Sequence, residues 1–172
     1  MIQTKQIEGF YIGSTEPEKV TGTMWIETDN GGALMTSWAW LWDGSAWVSP
    51  EQDWSVSFSA QAAASTHYLT LYRRIRLNSH RIEMLPTVNQ SSSNNWNFAL
   101  SSVNNNNGKT ARGSRNSNSA SAFQWLSSVG ALSSVLAPND AQTSRRLELV
   151  ATPTGSPGSL SGVYTLLYQF QR

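Results

Sequence analysis

The side chains able to do chemistry are few and scattered. There are two histidines, His67 and His80. Either ring could act as a general base, but no serine and aspartate stand at the spacing of a nucleophile set, and no His-Glu-x-x-His occurs. Glu51 and Asp53 are two apart and would share one face of a strand. A glycosidase needs two carboxylates facing each other across a cleft, and calcium needs several oxygen ligands. Glu51-Gln-Asp53 follows Pro50 and reads instead as a junction. The chain has no cysteine, so disulfides, thiolate zinc sites and thiol catalysis fall away. We therefore expect no catalytic residue, no metal and no cofactor, and a protein that is not an enzyme.

Binding chemistry remains. The densest basic feature is Arg73-Arg74-x-Arg76, with Arg81 nearby. A phosphate-rich ligand or an acidic envelope sugar would suit it, but inter-subunit ion pairs or a solvated sheet face suit it better, because strand arginines have many such uses. Asn104, Asn105, Asn106 and Asn107, followed by Lys109, Arg112 and Arg115, form a candidate receptor contact. Amides offer sugar hydroxyls both donors and acceptors; the plainer reading is a solvated loop. Six of the eight tryptophans lie between Trp25 and Trp54. Trp25, Trp38, Trp40, Trp42 and Trp47 are assigned to attachment and assembly. On a strand Trp38, Trp40 and Trp42 would share a face. A short segment with little else to bury uses such rings as core or interface rather than as a sugar platform, since each hides roughly 150–250 Å².

Charge narrows the partners. The 172 residues carry a net +1, and only 13% are Asp, Glu, Lys or Arg, about half the usual share. Asn, Ser, Thr, Gln and Gly take their place. The charge is unevenly spread: residues 1–60 hold eight acids and two bases, net −6, and residues 61–172 hold ten bases and three acids, net +7. That asymmetry fits a polyanion face or head-to-tail matching of subunits. Nucleic-acid binding would need more positive charge and interleaved aromatics, so no nucleic acid is expected. No apolar run reaches the 18 residues of a membrane span, and the first residues lack an apolar signal region. No membrane insertion is expected.

The elements that must position these groups are strands. Gly9 to Pro50 is a chain of turns, with Asp29-Asn-Gly-Gly32 and Asp43-Gly44 supplying residues that accept positive φ. Met24-Trp25-Ile26 and Ala39-Trp40-Leu41-Trp42 are strand material between them. Trp54, Val56 and Phe58 alternate with serines, as a half-buried strand requires. Residues 67–77 read as one long strand, Asn78-Ser79 as a turn and 81–85 as the returning strand. Trp96, Phe98 and Leu100 alternate, as do Leu147 and Leu149, and Tyr164, Leu166, Tyr168 and Phe170. Residues 89–95, 101–119 and 152–161 read as polar loops. Residues 119–134 fit either a short helix with Phe123, Leu126 and Val129 on one face, or a strand over 122–126. Many short strands with turns between them predict an all-β protein: an N-terminal Trp-rich hairpin module over 1–52 and an antiparallel β-sandwich over 53–172, for which a jelly roll is one arrangement.

The pattern Ser14-Thr15-x-Pro17, Gly22-x-Met24-Trp25-x-x-Thr28 and Trp42-Asp43-Gly44-x-x-Trp47-Val48 resembles a short module of bacteriophage virion proteins, found in tail fibres, head fibres and baseplate-associated proteins. It covers about a quarter of the chain, and this copy carries a longer Trp-rich insert from Gly31 to Trp40. Thr154-Gly-Ser-Pro-Gly158 with Tyr164 to Tyr168 is similar to the last strands of phage fibre tips. The resemblance implies a fibre, tip or peripheral baseplate or capsid protein, located in the virion, made in the host cytoplasm and released by lysis. It implies a homotrimer, other virion proteins as partners, and a host cell-surface polysaccharide as receptor. The rival reading is a stand-alone carbohydrate-binding module.

Overall fold

The computed structural model describes residues 9–36, 38–136 and 144–172, with backbone only at 144 and 145. The first eight residues of the expected N-terminal module and Asp140 lie outside them. Every regular element among the described residues is a strand. The chain forms two compact units, residues up to Gln52 together with Gln169–Arg172, and Asp53–Tyr168.

The first unit is built on one sheet of β1 (Phe10–Gly13), β2 (Met24–Glu27), β3 (Trp40–Trp42) and β4 (Trp47–Val48), in that order. β1 lies parallel to β2, and β2, β3 and β4 are antiparallel in turn. The β3–β4 turn shows why Trp-Asp-Gly closes a hairpin. Asp43 Oδ1 accepts the N–H of Ser45 and of Ala46, each at 2.9 Å. Gly44 sits at φ +97, where a side chain is costly. Asp29 does the same one turn earlier, its Oδ1 taking the N–H of Gly31 and Ala33 at 2.8 Å.

Residues 169–172 belong to this unit. Ser49 N–H donates to Phe170 O at 3.0 Å, Arg172 N–H to Trp47 O at 3.0 Å, and Gln171 bridges Val48. They add a short edge beyond β4, which would otherwise be a two-residue strand with open backbone groups.

The second unit is a sandwich. Its elements are β5 (Gln52–Gln61), β6 (Ser65–Thr70), β7 (Ile75–Pro86), β8 (Asn95–Asn104), β9 (Lys109–Asn116), β10 (Leu126–Ala131), β11 (Val135–Leu136), β12 (Ser144–Thr154) and β13 (Leu160–Phe170). One sheet runs β10-β7-β13-β5 with β11 also on β7, and the other runs β6-β12-β8-β9. Apart from β8–β9 and β10–β11, successive strands cross between the sheets in the wiring of a jelly roll, so the sandwich takes that arrangement. Period-2 alternation supplies the filling: Phe58, Leu77, Ile82, Met84, Trp96, Phe98, Leu100, Leu147, Leu149 and Leu166 are all buried. Phe58 of one sheet meets Phe98 of the other edge-on at 5.4 Å between centroids.

Three expected elements differ. Residues 67–77 are not one strand: the chain bends at Tyr72-Arg73, between sheets, and β7 then runs straight through Asn78 and Ser79. The stretch 101–119 is not a loop but mostly the β8–β9 hairpin, with a bulge at Arg112. Within 119–134 there is no helix, and the strand begins only at Leu126. Its residues pair with β7, and that long-range pairing decided between the two local readings.

Candidate functional site

The tryptophans of the first unit fill its core. Trp25 and Trp40 face each other across β2 and β3, and Trp42 and Trp47 across β3 and β4. Trp25, Trp40 and Trp47 are at most 2% exposed. Trp25 meets Trp47 at 5.6 Å, Trp42 meets Trp47 at 5.5 Å, and Trp38 meets Trp40 at 5.7 Å, all near edge-to-face, the geometry aromatic quadrupoles favour. Trp38 precedes β3 rather than lying in it, and Phe170 stacks flat on it at 4.8 Å. The buried indoles keep partners: Trp40 Nε1 donates to Glu27 Oε2 at 3.0 Å, Trp25 Nε1 to Gly13 O at 2.9 Å, and Trp47 Nε1 to Glu16 Oε1 at 2.9 Å. That last bond holds the Glu16 carboxyl below the usual carboxylate range. Arg172 lies over the Trp25 ring at 4.6 Å and pairs with Glu27.

The other face of the same sheet is also apolar. Met24 stands opposite Leu41 on the side away from Trp25 and Trp40, with Ile12 on β1. All three are exposed, as are Val20, Leu34 and Met35 in the adjoining loops.

The expected receptor loop is the β8–β9 hairpin. Asn104 Oδ1 caps the turn by accepting the N–H of Asn106 at 3.0 Å and of Gly108 at 2.7 Å. Asn107 takes φ +62, a conformation Asn tolerates better than most. The run of asparagines therefore has a backbone explanation, and Asn105 and Asn106 form its exposed tip. Lys109 lies on β9 and pairs with Glu148, whose side chain is 3% exposed. Arg112 Nε donates to Ser102 Oγ at 2.8 Å, and burial lowers its pKa. The Arg115 guanidinium occupies the space beside Gly130 where a Cβ would stand. These three cations sit on strand, not loop; Lys109 and Arg112 have partners within the unit, and the Arg115 guanidinium packs over Gly130.

Arg73 and Arg74 fall in the β6–β7 connection and Arg76 on β7. They do not share one strand, so in place of a sheet face they form a loop pair and a strand residue.

His80 lies mid-strand in β7 and is 2% exposed. Its Nδ1 is 2.8 Å from the hydroxyl of buried Tyr164. Burial, then the charge of Arg115, push its pKa down to about 4. Burial pushes the Tyr164 hydroxyl up, so it stays protonated. A neutral imidazole accepting the phenol proton satisfies both groups; the pair is enclosed by Gly113, whose Cβ would stand 2.9 Å from His80 Cε1. His67 is remote from it on β6. Among the described residues no three His, Asp or Glu side chains are placed to hold a metal ion, and no helix is long and apolar enough to cross a membrane.

One feature escaped the sequence reading. Phe123 and Trp125 precede β10 and are 73% and 68% exposed. Trp125 lines an open groove of about 340 Å³ with Glu83, Leu126 and Ser127. The sequence signal is a Phe-x-Trp flanked by serines, in the stretch that reads there as a short helix or a strand over 122–126.

No family model matches the chain, and no curated protein matches its sequence. Among solved structures it is similar to a chain of desmodium yellow mottle tymovirus, at 11% identity and a TM-score of 0.36, over 72% of this chain and 86% of that one. It is similar to VP2 in the subviral particle of infectious bursal disease virus, at 10% identity and 0.39, over 70% of this chain and 31% of that one. It is also similar to the CBM22-1 and GH10 modules of a Clostridium thermocellum xylanase solved with xylohexaose, at 6% identity and 0.32, over 66% and 25%. The chain thus spans about a third of VP2's length. Likenesses this distant carry no functional argument.

Proposed function

We propose that the chain is a non-enzymatic structural protein of a bacteriophage particle, a fibre, tip or peripheral baseplate or capsid component. In this reading it assembles with copies of itself as a trimer, and its first unit attaches it to another virion protein. The observation that carries the reading is the sheet of the first unit. One face is closed by Trp25, Trp40 and Trp47, and the opposite face leaves Ile12, Met24 and Leu41 exposed. A contiguous apolar face on a small sheet marks an interaction surface. The resemblance of residues 14–48 to a virion module names the class of partner. The tryptophans then shape the attachment element, and the aliphatic face makes the contact. The test is a phage carrying Met24→Glu with Leu41→Glu. The purified variant should fold, and particles should lack it. Particles holding the variant at full occupancy would refute the attachment role.

A second reading, a stand-alone carbohydrate-binding module, is favoured by the exposed aromatics beside an open groove. Native mass separates the two: the virion component is an oligomer, the stand-alone module a monomer.

A further inference from the structure

Phe123 and Trp125 are the two most exposed aromatic rings of the second unit after Tyr72, and their loop is held in place. Phe123 N–H donates to Pro86 O at 2.9 Å. Ala122 N–H donates to Asn89 Oδ1 at 2.8 Å, and Gln90 N–H to Ala120 O at 2.9 Å. Phe123 itself takes φ +56, a left-handed conformation that costs an aromatic residue on the order of 1 kcal/mol or more and persists only where the surroundings impose it. The pinned loop holds both rings out of the core rather than letting them fold down.

The outer face of β7 and β10 supplies what lies next to them. Ser127 stands opposite Glu83 and Val129 opposite Arg81. Arg81 and Glu83 lie 3.7 Å apart and both are about half exposed. The groove beside Trp125 thus offers an indole face, a carboxylate and a hydroxyl, and the Arg81 guanidinium stands next to its Glu83. Sugar rings ask for this combination: an apolar ring face to stack, and hydroxyls that need acceptors and donors at its rim. The groove volume of about 340 Å³ is at the small end of ligand sites. A protein partner fits less well. A stable interface buries about 800 Å² on each side, and the large exposed apolar side chains here are Phe123, Trp125 and Val129.

We infer that the Trp125 groove is a glycan-binding site that stacks a neutral hexopyranose of a polysaccharide on the indole and bonds its hydroxyls to Glu83, Ser127 and Arg81. This deepens the virion reading, on which it rests for the biological source of the glycan alone. It moves the receptor contact from the 104–115 hairpin, where Lys109 and Arg112 have partners within the unit, to the loop before β10.

The test is native affinity electrophoresis of the purified chain in gels containing dextran, mannan, laminarin or hydroxyethylcellulose. The wild type is retarded by at least one polymer. Trp125→Ala loses the retardation with an unchanged melting temperature, because the ring is mostly exposed, and Asn105→Ala with Asn106→Ala keeps it. The inference is overturned if no polymer retards the wild type, or if Trp125→Ala is retarded equally. It is also overturned if Trp125→Ala instead reduces the mass in sedimentation, which would make the surface a contact between copies. Since the measurement uses purified protein, its failure is distinct from failure of particle incorporation.

Discussion

At the scale of single residues, most side chains that drew notice in the sequence prove to hold the fold. His80 makes this measurable. Its ring is neutral in the folded protein, with a pKa pushed down from 6.5 to about 4, while the unfolded chain takes up the proton near pH 6.5. The stability this contributes is complete above pH 6.5 and is lost as the pH falls toward 4, by roughly 3 kcal/mol in all. Melting temperature against pH should fall through that window, and His80→Gln should flatten the slope there, because the phenol of Tyr164 that faces the ring is pushed up by burial and keeps its proton throughout. A wild-type curve parallel to that of the variant would contradict this. The cations of β9 follow the same logic. Lys109→Gln, Arg112→Gln and Arg115→Gln together should lower the melting temperature, chiefly by leaving the carboxylate of Glu148 buried without its partner. Unchanged melting would return these residues to the solvent-facing role that the sequence suggested.

At the scale of elements, the legible strands were those with a buried side. Trp96-x-Phe98-x-Leu100 and Leu147-x-Leu149 alternate because one face meets the opposite sheet, and period 2 records that directly. β9 was not legible. It is an edge strand, and Lys109-Thr-Ala-Arg-Gly-Ser-Arg-Asn116 is polar because charged edges resist pairing with other chains; in sequence such a strand looks like a loop. The β6–β7 break was hidden by apolar residues that continue in step across Leu71 and Ile75, both buried on either side of the bend. The glycan groove was illegible because Leu126 and Ser127 meet Glu83 only through the β7–β10 pairing. One glycine tests that packing. A Cβ on Gly162 of β13 would collide with the carbonyl oxygen of Glu83 on β7. Gly162→Ala should therefore cost about 1–3 kcal/mol or more, read from denaturant unfolding; a loss of a few tenths would mean that the strands separate freely there.

At the scale of the whole chain, the virion reading predicts an oligomer, with a trimer as the expected mass by sedimentation at micromolar concentration; a monomer would favour the stand-alone module. Removing residues 169–172 should destabilise the first unit. It takes away the ring stacked on Trp38, the cation over Trp25 and the backbone bonds to Ser49 and Trp47. Tryptophan fluorescence should then red-shift as water reaches the indoles, and an unshifted spectrum would show that the sheet closes without them. The same closure has a consequence in time. Ser49 and Phe170, which bond to each other, are 121 residues apart. During synthesis at about 5–20 residues per second, the tryptophan sheet waits on the order of ten seconds for the segment that completes it. A chain that stalls in between presents an unfinished module, so a particle that docks only the closed form would admit only chains translated through Arg172.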